Sequence, residues 1–286
     1  MDEQNLDILS RIHEEYYQLS AAERKVADYT IKNHNHVQFM SITQLAEECG
    51  TADATVSRFC RSLGLRGFNA FKIELAKYSA TSQAGQELSQ QRADSSAPVN
   101  AAQEVGRQAV EAVGQTVELI DLNTVSDVVS VLEKAERVLC TGSGGSSVMA
   151  ADCAHLFSTV SPKFSVIVDT HLQMSALASM KAGDALLLFS YSGATTAGIQ
   201  LFELARSLGI VTILVTRFPK SPAASLADYV LLCGSHESPV QQGSVMAKVA
   251  QLIVMGTLFQ EYYNRNREAC DRNRQQIAHA LSAMHL

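Results

Sequence analysis

Leu188-Phe189-Ser190-Tyr191-Ser192-Gly193-Ala194-Thr195-Thr196 decides how this chain is read. It is entered from an apolar run, Ala185-Leu186-Leu187-Leu188-Phe189, and it leads into an apolar pattern of helical spacing between Ile199 and Leu208. The order is strand, hydroxyl-rich turn with one glycine, helix. That order gathers backbone N–H groups and Ser/Thr hydroxyls at a helix N-terminus, which is a place suited to a phosphate. The turn carries no lysine, so it is not a P-loop.

A second turn of the same kind lies upstream. Thr141-Gly142-Ser143-Gly144-Gly145-Ser146-Ser147 follows an apolar run from Val138 and opens a helical pattern containing Ala150 and Asp152. Position 147 is serine, so no G-x-G-x-x-G is completed and a dinucleotide site is rejected. Apolar runs at 138–141, 164–168, 185–189, 211–215 and 229–233 alternate with helical patterns. Strands apolar on both faces and separated by helices predict an α/β domain whose parallel sheet is covered on both sides.

The 286 residues suffice for two domains of roughly 100–200 residues each. Residues 1–78 read as all-α, 79–100 as a Ser/Gln/Ala/Gly-rich linker, and 101–286 as the α/β domain with flanking helices. Ser20 and Glu23 form a capping-box signature for a helix starting near residue 21. Residues 244–262 read as an apolar helix and 264–280 as an exposed, charged one. The six cysteines form no CxxC pair and have no histidine at zinc spacing. They read as buried free thiols in a reducing compartment, with no metal and no cofactor. The N-terminus is polar, and no apolar run approaches the ~20 residues that span a bilayer. The expectation is a cytoplasmic protein with no membrane partner.

The net charge is −6, which argues against a general nucleic-acid coat but not against a local basic face. Residues 54–78 supply such a face. Five basic side chains (Arg58, Arg61, Arg66, Lys72, Lys77) oppose one acid, Glu74, a local charge of +4. Within 41–64, Leu45 and Ala46 point inward on a short helix, and Gly50 permits a tight turn. A second helix follows with Val56, Phe59, Cys60 and Leu63 on one face, and Gly64 sits where a C-terminal cap belongs. This is helix-turn-helix grammar, with the second helix as the reader of the major groove. The opposite face presents Ala54, Thr55, Arg58 and Arg61, with Ser57 beside them. The DNA-binding candidates are Thr55, Ser57, Arg58, Arg61 and Arg66. A plain helical domain with a basic exposed face is the alternative.

The run T-V-S-R-F-C-R-S-L-G-L-R-G-F-N-A-F-K at 55–72, with S-I-T-Q-L-A before it, resembles the N-terminal domain of RpiR-type transcriptional regulators. L-S-A-A-E-R-K-V-A-D-Y at 19–29 resembles the first helix of that family. Ala52 departs from the serine usual at the start of the recognition helix, leaving Thr51 or Asp53 to supply the cap. The family joins this domain to a SIS domain, a flavodoxin-like five-stranded parallel sheet that binds phosphosugars. Residues 128–262 resemble that domain. Gly142, Gly144, Ser146, Ala150 and Asp152 match G-x-G-x-S-x-x-x-A-x-D, and Ser190, Ser192, Gly193 and Thr195 match S-x-S-G-x-T.

The resemblance implies a phosphosugar site formed by Ser143, Gly144, Ser146, Ser147, Ser190, Ser192, Gly193, Thr195 and Glu237. Its implied partners are operator DNA and a phosphorylated sugar effector, in a homodimer or homotetramer. SIS enzymes move a proton between adjacent carbons of sugar phosphates and need a general base. Glu237 stands where such a base often lies, yet regulators keep a glutamate there too. The primary expectation is therefore a ligand-sensing regulator rather than an enzyme, and the alternative is an isomerase with a regulatory N-terminal domain. His155 and His171 are possible assistants. The last apolar helix departs from the regulator pattern at Ala247 and Gly256, and Leu156 stands where lysine is frequent.

Overall fold

The computed structural model describes residues 7–90, 101–235 and 244–282. The chain forms two compact units that divide near residue 106.

The first unit is all-α: α1 (Ile8–Glu15), α2 (Ala21–Val37), α3 (Ile42–Glu48), α4 (Asp53–Ser62) and α5 (Phe68–Gln90). Ser20 and Glu23 form the capping box of α2, as its sequence signature required. The core gathers Ile12, Val26, Leu45, Val56, Phe59, Phe71 and Leu75, all buried, with Phe59 edge-on to Phe71. Arg11 of α1 donates to the Leu63 carbonyl at the end of α4, satisfying one of the carbonyls that a helix C-terminus leaves over.

Helix α5 continues to Gln90 and so takes up the first part of the stretch read as linker. Residues 79–90 contain no proline, and their Ala, Gln and Glu residues are good helix formers, so a helix already under way continues through them. Residues 91–100 lie outside the described residues.

The second unit contains α6 (Ala101–Leu119), α7 (Leu122–Lys134), β1 (Val138–Gly142), α8 (Gly145–Ser158), β2 (Phe164–Val166), α9 (Thr170–Ala178), β3 (Ala185–Phe189), α10 (Thr196–Ser207), β4 (Val211–Thr216), β5 (Tyr229–Leu232), α11 (Val245–Arg265) and α12 (Arg267–Ser282). The five strands form one parallel sheet in the order β2-β1-β3-β4-β5. Every residue of β1 and β3 is buried, as the unbroken apolar runs required. Helices α7, α8 and α11 cover one face around Val128, Phe157 and Val254. Helices α9 and α10 cover the other around Leu177, Leu201 and Phe202. The charged helix α12 is anchored by buried Cys270 and by Asn273, which donates to the Val160 carbonyl at 2.6 Å. Among the described residues no helix is long and apolar enough to cross a membrane.

Candidate functional sites

The first site is the face of α4. Gly50 takes φ +59° in the turn between α3 and α4, and Gly64 takes φ +72° just beyond α4. A left-handed residue reverses the chain in a tight turn, and glycine adopts it without a Cβ clash. Ser41 and Gln44 form a reciprocal capping box on α3. Helix α4 starts less well. Ala52 is its N-cap and makes no side-chain bond. Neither expected substitute fills the place: the Thr51 hydroxyl donates to the Ala46 carbonyl at 3.4 Å, and Asp53 accepts from the Thr43 hydroxyl at 2.9 Å.

Arg58, Arg61 and Arg66 are exposed and Ser57 is half-buried, so these four share the accessible side of α4 and its following turn. Thr55 does not join them. It is only 5% exposed, because it lies four residues before Phe59 and falls on the same buried stripe. Its hydroxyl accepts from Arg58 Nη2 at 3.2 Å. Cys60, behind the stripe, is a packed thiol whose pKa burial pushes up to about 12.

The second site is the carboxyl edge of the sheet. From β1 the chain proceeds through α8 to β2, and from β3 through α10 to β4. Strands β1 and β3 are neighbours with Gly142 opposite Phe189, yet α8 and α10 lie on opposite faces. The two turns therefore flank a topological switch point, the place where open α/β sheets leave a crevice for ligands.

Both turns are built around glycines that cannot be replaced freely. A Cβ on Gly142 would lie 2.5 Å from the Ser146 carbonyl oxygen. Gly193 takes φ +59°, and a Cβ there would run into Ser221 Oγ. In the first turn the Ser147 hydroxyl is spent on the Gly144 carbonyl at 2.7 Å, while Ser143 and Gly144 are exposed and Ser146 is half-buried. In the second, Ser192 Oγ accepts from the Ala194 amide at 3.3 Å, and Thr195 is the N-cap of α10 without a side-chain cap bond. Among the described residues, Ser190 Oγ is buried without a hydrogen-bond partner, as are Thr141 Oγ1 and Ser235 Oγ at the same edge of the sheet. Glu237 lies outside the described residues.

Pattern reading missed the scaffold behind the second turn. Thr216 Oγ1 donates to the Tyr191 carbonyl at 3.0 Å, and Ala223 N–H donates to the Gly193 carbonyl at 2.9 Å. The Tyr191 hydroxyl at 2.7 Å and Arg217 Nε at 3.2 Å both donate to the Ser235 carbonyl. Ser221 and Arg217 sit in a short loop with no periodicity to mark them. Only Thr216, at a strand end, carried a signal.

The model of the helix-turn-helix domain of the rpiR family matches residues 6–82, and the SIS domain model matches residues 131–260. The chain belongs to the RpiR family of helix-turn-helix transcriptional regulators. RpiR-type architecture extends over full-length relatives. An HTH-type transcriptional regulator of Caldanaerobacter subterraneus subsp. tengcongensis is 29% identical over 262 residues, covering 90% of this chain and 92% of that one. The HTH-type transcriptional regulator YbbH of Bacillus subtilis is 29% identical over 247 residues, covering 85% and 86%. The structure of the Vibrio vulnificus NanR protein complexed with ManNAc-6P superimposes with a TM-score of 0.85 at 28% identity, covering 98% of this chain and 100% of that chain. The sugar isomerase domain of an RpiR transcription factor from Sphaerobacter thermophilus shares the fold, with a TM-score of 0.58 at 19% identity, covering 63% and 98%.

In this RpiR chain the two positions that depart from the family pattern on α11 lie differently. Ala247 is buried, whereas Gly256 is exposed beside an apolar groove of about 640 Å³ that Leu122, Val125 and Leu252 also line.

Proposed function

We propose that the switch-point crevice binds a phosphorylated sugar and that this binding controls how α4 engages operator DNA. The observation that carries the reading is the buried, unpartnered Ser190 hydroxyl beside the α10 N-terminus, within the turn that matches S-x-S-G-x-T. A buried hydroxyl without a partner costs free energy, and a phosphate oxygen at a helix N-terminus would supply that partner. Ser192 and Thr195 would complete the phosphate cradle. Ser143, Gly144 and Ser146 would face the sugar, with Glu237 accepting from its hydroxyls. Gly193 serves by shape.

The NanR protein in complex with ManNAc-6P has the same architecture end to end, which favours hexosamine phosphates as the first ligands to try. The protein works as a ligand-sensing regulator in the cytoplasm and not as an isomerase. It acts as a homo-oligomer, so that two recognition helices meet half-sites about 34–36 Å apart.

A thermal-shift screen of the whole protein against hexose, pentose and N-acetylhexosamine phosphates tests the ligand class, because a ligand that binds only the native state raises its melting temperature. A response to none of them, or the same response to the unphosphorylated sugars, would overturn the reading. Conversion of a bound phosphosugar, followed by NMR, would overturn the non-enzymatic part alone.

A further inference from the structure

The division between the two units falls inside α6, so the chain enters the second unit along this helix. The hold of α6 on that unit is narrow. Ala112 and Thr116 are its buried residues, while Val105, Val110 and Val117 are exposed. The Thr116 hydroxyl is paired on both sides. It donates to the Ala112 carbonyl one turn back at 2.6 Å, and it accepts from the Gly234 amide at 3.0 Å. The approach is so close that a Cβ on Gly234 would lie 2.6 Å from the Gln115 backbone.

The residue after Gly234 is held by the second turn. The Ser235 carbonyl accepts from the Tyr191 hydroxyl at 2.7 Å and from Arg217 Nε at 3.2 Å. Tyr191 stands between Ser190 and Ser192, with its ring edge-on to Phe218. An unbroken series of bonds therefore runs from the S-Y-S-G-A-T turn through Ser235 and Gly234 to Thr116 on α6. A helix held by two buried residues and one hydroxyl belongs to the low-stability end of a fold, where a ligand can shift a local equilibrium.

We propose that the Thr116–Gly234 contact is the joint through which the crevice acts on α6. Filling the second turn displaces the Tyr191–Ser235 contact, and Gly234 passes the displacement to the helix that leads to the first unit. Thr116 is a positioning residue, touching neither effector nor DNA. This rests on the crevice being the effector site.

The test uses full-length protein and a duplex selected by the wild type from a randomised pool. The probe is the hexose, pentose or N-acetylhexosamine phosphate that raises the melting temperature of the wild type most. Duplex affinity is measured with and without saturating probe at one fixed salt concentration, and the ratio is the coupling factor. Thr116→Val keeps the shape of the side chain and removes the hydroxyl. The probe still raises its melting temperature, but its coupling factor falls roughly 2–10-fold, the scale of one hydrogen bond. Thr116→Ser keeps the hydroxyl and the wild-type factor. Tyr191→Phe opens the same series at its other end and also lowers the factor, and adding it to Thr116→Val lowers the factor no further, because both act through one joint.

An unchanged coupling factor in Thr116→Val would overturn the proposal. So would a loss in Thr116→Ser equal to that in Thr116→Val, which would reduce Thr116 to a packing residue, or a loss of all probe binding in Thr116→Val. Should Thr116→Val fail to fold, an unchanged factor in Tyr191→Phe overturns the proposal by itself. A wild type whose duplex affinity ignores the probe would instead sink the proposed control of DNA binding, and this joint with it.

Discussion

Ser190 and Gly193 lie three residues apart in one turn and do opposite things. Ser190 offers a buried hydroxyl with nothing to bond, so Ser190→Ala removes a desolvated polar atom from the empty protein. Stability should stay within about 1 kcal/mol of the wild type, while the melting-temperature rise produced by the best phosphosugar should shrink or vanish. A large loss of stability in the empty protein would mean that the hydroxyl has a structural partner instead. Gly193 offers no chemistry, only a left-handed backbone pressed against Ser221. Gly193→Ala should cost about 2–4 kcal/mol in denaturant unfolding, the sum of a left-handed alanine and an overpacked contact. Ser221→Gly in the same chain should recover the overpacking part and leave the backbone part.

The motif named both residues, but its letters could not separate these roles. Burial and the neighbour behind Gly193 do so. Thr55 shows the same gap on α4. Its residue type suits DNA contact, but its place on the helical wheel, four residues before Phe59, buries it.

Elements were legible wherever one periodicity ruled. The five apolar runs became five strands, and the inner strands β1 and β3 are buried throughout, because a strand covered on both faces carries apolar residues on both. The capping box of α2 was legible from Ser20 and Glu23 alone, since that bond pattern is local. The end of α5 was not, because composition sets linker and exposed helix apart poorly when proline is absent. Helix α4 shows what a local rule predicts when it is broken. Ala52 already has the extended backbone of an N-cap, φ −99° and ψ 155°, without the side-chain acceptor. Ala52→Ser should therefore stabilise the protein by about 0.5–2 kcal/mol in denaturant unfolding, with no change in the slope of the transition. An unchanged or lowered midpoint would show that water or a neighbouring group already satisfies the first amides of α4.

At the scale of the whole molecule, the crevice follows from topology rather than from any one residue. Two similar turns, each between a strand and a helix, were legible in the sequence. Their meeting at one edge depends on the strand order β2-β1-β3-β4-β5, which the alternation of strand and helix does not specify. Coupling between that crevice and α4 makes a prediction with no free direction. If a phosphosugar changes operator affinity by some factor, operator DNA must change phosphosugar affinity by the same factor, for repressor and activator alike. The factor should fall at about 5–150-fold. It is measured once by fluorescence anisotropy of a selected operator with and without saturating effector, and once by calorimetric titration of the effector with and without saturating operator. Both titrations must share one salt concentration, because DNA affinity falls steeply with salt and a mismatch would imitate coupling. Equal factors above one establish a regulated switch. An effector that raises the melting temperature while leaving both affinities unchanged would show a filled crevice with no line to the DNA-reading helix.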